Sequence, residues 1–446
     1  MSRTEPARGM RDFLPIDVRR RAYVRGVIAQ VYENYGFEPL ETPAVENIET
    51  LLGKYGEEGN QLIFKILKRG EHEATGKADL ALRYDLTVPL ARVVAEYGAR
   101  LPRLFKRYQI QPVWRADRPA RGRFREFYQC DIDAIGSTSP VVESELCMVV
   151  GDVILQLGFS DFKIRLNHRE ILRTLLVNAG IDSGQHGEVL ITLDKLERLG
   201  RDGVTDELSK RGVLGKSLSQ LIDWLVPDSG SHDLDWLQGQ MSEIDEDGHA
   251  AFHNLRKILE LTNQSIVGSH LRFDPSLARG LSYYTGAIME INVPGLTGSI
   301  GGGGRYDDLL GMFSNKRVPA CGFSLGLERI LVVMSEREMF PSKLTKSPAD
   351  LMVCVFDEGN ISHAFVLASL LRKSGLRVMV YPEMDKIGKQ IKYASAVGIP
   401  CVAILGTDEI SKGEVTVKEL ATGRQTVFLK EDVSVGVKEI LGEYCG

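Results

Sequence analysis

The residue types best suited to chemistry lie in one stretch of this chain, from Phe105 to Asp133. Between Phe105 and Arg125 the stretch contains seven basic residues and a single acid, Asp117. The basic residues are Lys106, Arg107, Arg115, Arg118, Arg121, Arg123 and Arg125. A guanidinium group offers a planar fork of donors that matches the oxygens of a phosphate. The stretch therefore predicts a site for a ligand that carries phosphate.

Two predicted strands flank this basic loop. Apolar residues alternate before it and again after it, whereas its middle, ADRPARGR, contains the chain-breaking residues Pro119 and Gly122. A solvated basic hairpin is the alternative interpretation, because charge runs usually lie in solvent. Against that alternative, acids and an amide accompany the arginines, and this mixture suits a ligand with both a phosphate and an amine. These residues are Asp117, Gln129, Asp131 and Asp133.

Two shorter segments add groups suited to an amino acid. In RYDLTVP, Asp85 and Thr87 are two residues apart, which predicts that they share one face of a strand as an acceptor pair for an ammonium group. In ARGLSYYTG, Arg279 is followed closely by Tyr283 and Tyr284. Neither segment is decisive alone. Their occurrence together with the basic loop is what predicts a shared site.

A glycine run and a helix complete the pattern. SIGGGGRYDDLL places Gly301–Gly304 in a strand, and CGFSLGLERIL predicts a helix, from about Gly322 to Ser335, that carries Glu328 and Arg329. A glycine run by itself usually marks a turn or tight packing. A lone arginine on a helix is usually exposed. For each segment taken singly, these alternatives stay open.

Composition favours a soluble intracellular enzyme. With 446 residues the chain has room for two or three domains. Its formal charge of -5 means that a nucleic-acid surface must be a local patch. No apolar run is long enough for a membrane helix, and the N-terminus lacks the apolar segment of a signal peptide. The six cysteines show no metal-binding spacing, which predicts reduced thiols and argues against a zinc site.

Hydrophobic periodicity predicts the elements that must position these groups. A helix is predicted over residues 18–35 and ends at Gly36, and the strand-like PLETPAVE after it indicates an edge or a partner contact. A strand is predicted from Leu80 to Pro89, running into a helix. From about Arg169 to His270 the pattern is almost wholly helical, which indicates an insertion. Strands return with TGAIMEINV.

The segment LTKSPAD, near residues 344–350, is a predicted linker to a C-terminal unit. Beyond it, strands and helices alternate as β-α-β-α-β, which predicts a small α/β domain with a mixed sheet and its own core. No GxGxxG follows its first strand, so no dinucleotide site is expected there. A solvated helix face and a nucleic-acid contact are both open interpretations of a polar cluster in this unit. The cluster contains Lys386, Lys389, Gln390 and Lys392.

These motifs together resemble those of the histidyl-tRNA synthetases, a family of class II aminoacyl-tRNA synthetases. The resemblance covers nearly the whole chain and is strongest in VWRADRPARGRFREFYQCDID, ARGLSYYTG, GGGGRYDDL and GFSLGLERI. The sequences of RYDLTVP and REFYQCDID resemble the eukaryote-like branch of the family more than its common bacterial branch. One position departs from the pattern, because Ser282 stands where the family commonly has an acid. That departure concerns the fine geometry of Arg279.

The resemblance implies an α+β class II catalytic domain, built on an antiparallel six-stranded sheet flanked by helices, over residues 1–168 and 271–343. It implies a helical insertion over residues 169–270 and an anticodon-binding α/β domain over residues 347–446. It also implies a homodimer, with the long N-terminal helix and PLETPAVE at the interface. A cytoplasmic location and no membrane contact complete this expectation.

The resemblance also assigns roles to single residues. Arg279, Arg115 and Arg329 are the implied catalytic residues. The implied histidine-binding residues are Asp85, Thr87, Arg115, Gln129, Asp133, Arg279, Tyr283 and Tyr284. The implied ATP-binding residues are Arg115, Asp117, Arg123, Arg125 and Arg329.

The implied reaction is activation of L-histidine with ATP, giving histidyl-adenylate and pyrophosphate, followed by transfer of histidine to the 3' end of tRNA(His). ATP is a substrate, and Mg²⁺ is expected with it, on ligands that the motifs do not identify. The alternatives are a catalytically inactive, synthetase-like regulatory subunit of histidine biosynthesis and a plain ATP-binding regulatory module. The presence of Arg115, Arg279 and Arg329 disfavours the first, and the Tyr283–Tyr284 pair disfavours the second.

Overall fold

The computed structural model of the chain describes residues 4–70, 75–226, 233–279, 283–313, 316–341, 344 and 347–443. Ser282 lies outside these residues. The chain divides into two compact units, Met1–Asp12 with Arg20–Met339 and Phe13–Arg19 with Phe340–Gly446. Each unit contains a β-sheet of its own. None of the described helices combines the length and the hydropathy that crossing a membrane requires.

The strands before residue 330 supply the frame of the first unit. They are β1 (Glu38–Pro39), β2 (Val45–Asn47), β3 (Lys65–Leu67), β4 (Ala78–Leu82), β5 (Phe105–Trp114), β6 (Glu126–Ile135), β7 (Lys163–His168), β8 (Leu271–Phe273), β9 (Ala287–Asn292), β10 (Gly301–Arg305) and β11 (Ala320–Gly326). The helices are α1 (Pro15–Asn34), α2 (Ile48–Leu51), α3 (Gly56–Gln61), α4 (Thr87–Tyr97), α5 (Pro140–Gln156), α6 (Arg169–Asn178), α7 (His186–Leu193), α8 (Leu196–Lys210), α9 (Gly215–Leu225), α10 (Leu234–Gly239), α11 (Glu246–Asn263) and α12 (Leu327–Glu336).

The large sheet of this unit has the strand order β1-β5-β6-β11-β10-β9-β7-β8. Its six central strands are antiparallel, as predicted. The prediction of a wholly antiparallel, six-stranded sheet is wrong at both edges, where β1 pairs parallel to β5 and β8 pairs parallel to β7. These two edge strands are short, and the long helical crossover before β8 permits its parallel pairing. A separate three-stranded sheet has the order β2-β4-β3.

Alternate residues of the central strands face opposite sides of the sheet, because side chains in a strand alternate. On one side, Cys147 of α5 lies 3.3 Å from the sulfur of Met289 in β9, and Arg305 of β10 donates to Glu143 of α5 at 2.7 Å. Helix α5 therefore covers this face with a largely apolar core. Intervening residues, such as Gly302, face the other side, where the candidate site lies.

The predicted N-terminal helix is confirmed, since α1 ends at Asn34 and Gly36 has a φ of 76°. The predicted strand from Leu80 to Pro89 is wrong in its second half. Strand β4 ends at Leu82, and Thr87 begins α4. The reason is local, because a carboxylate oxygen of Asp85 accepts the backbone N–H of Val88 at 3.0 Å. Such an acceptor satisfies a first-turn donor that has no partner within the helix.

The predicted helix from about Gly322 to Ser335 is also wrong in its first part. Residues 320–326 form strand β11, and α12 begins at Leu327. Helix α12 thus starts just before Glu328 and Arg329. Glycine at 322 permits close pairing in the sheet, since a Cβ there would lie 1.9 Å from Oδ1 of Asp133. Between residues 169 and 270 the described part of the chain contains helices α6 to α11 and no strand.

The second unit has its own core beneath a five-stranded mixed sheet, which confirms the predicted α/β architecture with a mixed sheet. Its order is β13-β12-β14-β15-β16, with the first three strands parallel and the last two antiparallel. The strands are β12 (Leu351–Val353), β13 (Val378–Val380), β14 (Cys401–Ile404), β15 (Glu414–Glu419) and β16 (Gln425–Leu429). The helices are α13 (Glu358–Lys373), α14 (Ile387–Ala396), α15 (Thr407–Lys412) and α16 (Val433–Glu443).

Candidate active site

A cavity lies on the face of the large sheet that α5 does not cover. Its walls bring together most of the predicted site residues from distant parts of the sequence. These are Asp85, Thr87, Arg115, Gln129, Asp133, Arg279, Tyr283, Tyr284 and Arg329. An adjoining cavity shares Arg115 and Arg329 and adds the predicted Asp117 and Arg123. Arg125 lines neither cavity, and its Nε donates to the backbone oxygen of Asp117 at 3.0 Å.

A group of polar residues lies at the floor of the cavity, and the register between strands determines which of them are neighbours. Strands β5, β6 and β11 are neighbours, and three rows of directly opposed residues cross them with two-residue spacing. Because side chains alternate along a strand, residues at this spacing share a face. The rows are Arg107–Asp133–Gly322, Gln109–Asp131–Ser324 and Gln111–Gln129–Gly326.

Asp133 forms the innermost carboxylate of this floor. Its Oδ2 pairs with Nη2 of Arg107 at 2.7 Å, and its Oδ1 accepts the hydroxyl hydrogen of Tyr306. Burial raises the pKa of Asp133, whereas the charge of Arg107 and the Tyr306 hydrogen bond act in the opposite direction. The carboxylate is therefore held by two protein groups at the edge of the cavity. Neither Arg107 nor Tyr306 was among the predicted site residues.

Asp131 lies one row further along and was also absent from the predicted set. Gln129 donates to Oδ1 of Asp131 at 3.2 Å and to Oγ of Ser324 at 2.9 Å. Burial raises the pKa of Asp131 to about 7; Arg107 lowers it and the charge of Asp133 raises it further. Its position between Gln129 and Asp133, at alternating spacing on one strand, is the sequence signal that points to it.

Asp85 lines a part of the cavity formed by the segment before α4. Its Oδ1 accepts from the Tyr55 hydroxyl at 3.0 Å and from the backbone N–H of Val88 at 3.0 Å. Burial raises the pKa of Asp85, although these hydrogen bonds and the charge of Arg115 favour the carboxylate. The two residues predicted to share a strand face, Asp85 and Thr87, instead flank a turn that begins α4. Both still line the cavity.

Arg115 directly follows β5 and projects along the cavity. Its Nε donates to the Tyr84 carbonyl at 3.1 Å, and its Nη2 donates to Oε1 of Gln129 at 3.3 Å. Its guanidinium carbon lies 4.4 Å from the centre of the Tyr84 ring. These partners orient the guanidinium without neutralising it. Among the described residues, Arg115 has no carboxylate ion-pair partner, so its charge is available to an anion.

Arg329 lies in the first turn of α12 and donates to the Ser299 carbonyl. Burial lowers the pKa of Arg329, and the charge of Arg123 lowers it further, whereas the charges of Glu290 and Glu197 raise it. Arg115, Arg123 and Arg329 line the adjoining cavity together, which indicates a site for a polyanion. The neighbouring Glu328 does not neutralise them, because it pairs with Arg21 at 2.8 Å.

Arg279 lies directly over the glycine strand. Its Nη1 lies 3.4 Å from the Met289 carbonyl oxygen and 3.8 Å from Oε2 of Glu290. A Cβ at Gly302 would lie 1.6 Å from that same nitrogen. The strand must therefore lack a side chain at this position. Gly302 thus has a specific purpose, which is to leave room for Arg279.

Three tyrosines pack together at the Asp133 end of the cavity. The ring centres of Tyr283 and Tyr284 are 4.9 Å apart, and those of Tyr283 and Tyr306 are 6.1 Å apart. This end therefore combines aromatic surface with hydroxyl and carboxylate groups. Within the described residues, no cluster of three or more His, Cys, Asp or Glu side chains has the arrangement of a metal site.

Comparison with known proteins identifies the family. A model of histidyl-tRNA synthetases matches residues 9–330, and a model of anticodon-binding domains matches residues 350–440. The chain belongs to the histidyl-tRNA synthetase family. It is 41% identical to a histidine–tRNA ligase from Gloeobacter violaceus, with 94% of each chain covered. It is 40% identical to one from Porphyromonas gingivalis, with 96% of this chain and 97% of the relative covered.

Solved structures of the family have the same fold. A histidyl-tRNA synthetase from Nostoc sp. PCC 7120 superposes with a TM-score of 0.83 at 30% identity, over 98% of this chain and 100% of that one. An apo histidyl-tRNA synthetase from S. aureus, at 20% identity and a TM-score of 0.70, shares the fold. The relatives compared are bacterial, so the predicted tie to the eukaryote-like branch has no support from them.

Proposed function

We propose that this chain activates L-histidine with ATP, giving histidyl-adenylate and pyrophosphate, and then transfers histidine to the 3' end of tRNA(His). One observation carries the proposal. Two adjoining cavities join an end built from carboxylates and tyrosines to an end built from arginines that have no carboxylate ion-pair partner among the described residues. The first end suits a cationic amine and an imidazole. The second suits a triphosphate.

The amino-acid end has two parts. The α-amino group of histidine binds near the turn at α4, where carboxylate and hydroxyl acceptors face the cavity, and Gln129 contributes an amide. The imidazole lies at the other part, where an acceptor and a donor can serve its two ring nitrogens. The residues assigned to the α-amino group and carboxylate are Asp85, Thr87 and Gln129. Those assigned to the imidazole are Asp133, Tyr283 and Tyr284.

The arginine end holds ATP. Arg115 contacts the α-phosphate and the histidine carboxylate, and Arg329 holds the bent nucleotide by its adenine and γ-phosphate. The loop with Asp117, Arg123 and Arg125 covers ATP and the acceptor end of tRNA. Support for this division comes from the adjoining cavity, where Asp117 and Arg123 face Arg329. Arg125 acts through the Asp117 backbone rather than from the cavity wall.

Activation requires the histidine carboxylate oxygen to attack the α-phosphorus as the bond to pyrophosphate breaks. Negative charge grows on the oxygens around that phosphorus, so fixed cations on both sides lower the barrier. Arg115 supplies one of these cations, and Arg279, over Gly302, supplies the other. Alignment of both reactants in one cavity contributes further, by roughly 7 kcal/mol or more in favourable cases.

Mg²⁺ is proposed to accompany ATP. A Mg²⁺ ion in a nucleotide site is usually held by phosphate oxygens, water and one or two carboxylates, rather than by a protein cage. A bound Mg²⁺ would supply charge neutralisation at the phosphates, and Arg115 and Arg329 orient them.

The other parts of the chain are assigned to tRNA and to assembly. Residues 1–168 and 271–343 form the catalytic domain, residues 169–270 an insertion, and residues 347–446 the anticodon-binding domain. The enzyme acts in the cytoplasm as a homodimer, with α1 and the PLETPAVE segment at the interface. Exposed Val45, Leu67 and Leu80 on the three-stranded sheet support a partner contact near that segment.

Histidine-dependent exchange between ATP and pyrophosphate tests the proposal. We expect exchange with histidine and none with each of the other amino acids as controls, followed by charging of tRNA(His). A regulatory subunit would bind histidine without exchange. That alternative is disfavoured, because Arg115, Arg279 and Arg329 all line the cavity. Absence of exchange in a folded protein would overturn the proposal.

A further inference from the structure

Arg107 is a buried charge with no part in the substrate contacts proposed above. It lies in β5, its side chain is fully buried, and it does not line the cavity. Isolated burial of a guanidinium is costly unless partners compensate for the lost water. Its partners therefore indicate its purpose.

Those partners belong to opposite sides of the amino-acid end. Nη2 of Arg107 lies 2.7 Å from Oδ2 of Asp133 and donates to the Leu86 carbonyl at 3.3 Å. Leu86 is the residue between Asp85 and Thr87, in the turn that begins α4. One guanidinium thus spans the imidazole part and the α-amino part from behind the cavity floor.

Arg107 is itself fixed by a buried polar chain. Its Nη1 donates to Oε1 of Gln109 at 3.2 Å, and Gln109 donates to Oγ1 of Thr42 at 2.9 Å and to Oε1 of Gln111 at 2.6 Å. Arg83 donates to the same Gln111 oxygen at 2.8 Å. These contacts of Nη1 and Nη2 restrict the guanidinium to one position, while its Nε has no hydrogen-bond partner among the described residues.

We infer that Arg107 is a positioning residue for histidine recognition: its guanidinium holds the Asp133 carboxylate and the Asp85–Thr87 turn at a fixed separation. The inference rests on the proposed function, which places the imidazole at Asp133. The planar fork makes this possible, because Nη2 contacts both Asp133 and Leu86 while Nη1 is held by Gln109. A lysine ammonium has a single nitrogen, so it retains the ion pair with Asp133 and cannot keep all three contacts.

The charge on Asp133 gives the inference a specific signature. Burial raises the pKa of Asp133 and Arg107 opposes that effect. Without Arg107, Asp133 takes up a proton at a higher pH and ceases to be a pure acceptor for the imidazole. Raising the pH removes that proton and restores the acceptor. Titratable or charged groups near Asp133 are Arg107 on β5, Asp131 on β6, Tyr306 after β10, Cys321 on β11 and Tyr32 on α1.

Arg107→Met and Arg107→Lys test the inference in the full-length enzyme, by histidine-dependent pyrophosphate exchange from about pH 6 to about pH 9. We expect Arg107→Met to raise the KM for histidine about 100-fold near neutral pH, with little change in the KM for ATP. This increase should shrink as the pH rises. Arg107→Lys should raise the KM about 10-fold, with a pH profile close to that of the unaltered enzyme.

Arg165→Met is the matched control, because Arg165 pairs with Asp274 at 2.7 Å in the same sheet but does not line the cavity. It should leave both KM values near those of the unaltered enzyme. An unchanged KM for histidine in Arg107→Met would overturn the inference, as would an increase that is constant across pH. If Arg107→Met does not fold, a normal KM for histidine in Arg107→Lys would overturn it instead.

Asp133→Asn separates this inference from the function on which it rests. A normal KM for histidine in Asp133→Asn would remove Asp133 from the pocket and with it the basis of the inference. An increased KM in Asp133→Asn beside a normal KM in Arg107→Met would overturn the role of Arg107 alone. Increases in both variants, with the pH response confined to Arg107→Met, support the inference.

Discussion

The cavity on the large sheet and helix α14 of the second unit both gather basic residues, but the two regions hold them differently. In the cavity, Arg115 and Arg329 are oriented by carbonyl and amide oxygens that leave their charges available. On α14, Lys389 has a side chain that is 65% exposed and pairs with Asp385 at 2.8 Å. Buried, oriented charge acts strongly on a bound anion, whereas exposed charge is weakened by water and salt.

The same contrast applies to the amides of the two regions. Gln129 faces the cavity and contacts Arg115. Gln390, which the sequence grouped with the α14 lysines, is fully buried and donates to the backbone oxygens of Val355 and Asp385, both at 2.7 Å. A nucleic-acid contact by Gln390 is therefore excluded by its own position. Side-chain type alone does not separate a binding residue from a structural one.

The largest expected effect concerns the buried end of the cavity. Asp133→Ala should raise the KM for histidine by up to about 10⁴-fold, because a site that hydrogen-bonds both ring nitrogens loses one partner. The KM for ATP should stay within a few-fold, since Arg115 and Arg329 are untouched. The measurement is pyrophosphate exchange at varied histidine and ATP. Equal changes in both KM values would instead indicate general disruption by the unpaired Arg107.

The sequence predicts those features of the Asp133 end of the cavity that depend on local patterns, and it does not predict those that depend on strand register. Strands β5 and β6 were predicted because alternation is local. Arg107 was counted with the phosphate-binding arginines, because its position opposite Asp133 depends on register between strands, which a single chain does not display. The pattern of GFSLGLERI predicts a helix from its first residue, although residues 320–326 form a strand, because a short apolar run has no decisive period.

A smaller effect is expected at Arg279, which acts on the reacting phosphate. Arg279→Ala should lower the rate of activation by about 10²-fold or more, with a smaller change in the KM for histidine. Arg279→Lys should restore little, because a point charge does not reproduce a planar fork. Single-turnover formation of histidyl-adenylate measures this rate directly. Activation at the unaltered rate in either variant would leave Arg279 with a structural role only.

Gly302→Ala tests the position of Arg279 without replacing a charged residue. The added Cβ would lie 1.6 Å from Nη1 of Arg279, so the guanidinium must move. We expect a loss of activation rate similar in kind to that of Arg279→Ala and somewhat smaller, with the fold retained. Gly187→Ala, in α7, where a Cβ meets no atom within 4 Å, is the control. A fully active Gly302→Ala enzyme would contradict the proposed position of Arg279 during activation.

Removal of residues 347–446, which form most of the second unit, tests whether this part of the chain and the cavity on the large sheet serve different steps. A chain ending at Lys346 should keep histidine-dependent pyrophosphate exchange, because every predicted site residue lies before that point. Its charging of tRNA should fall by about 10-fold or more, since phosphate contacts that position the tRNA are lost. An unchanged KM for tRNA would contradict the assignment. A stable truncated chain without exchange would show that the second unit supports the catalytic one.

The smallest expected effect belongs to the exposed lysines of α14. If Lys386 and Lys389 contact tRNA phosphates, reversal of either charge to Glu should weaken tRNA binding several-fold at low salt. The slope of log affinity against log salt should then fall by roughly 1 for each lost contact. Lys412→Glu, in an exposed position of α15, is the matched control.

The pairing of Lys389 with Asp385 favours a weaker effect at 389 than at 386, because the charge of Lys389 is already partly neutralised. Equal salt slopes in all three variants would mean that the lysines of α14 lie on a solvated face. Of the two basic regions, only the buried arginines of the cavity would then bind an anion.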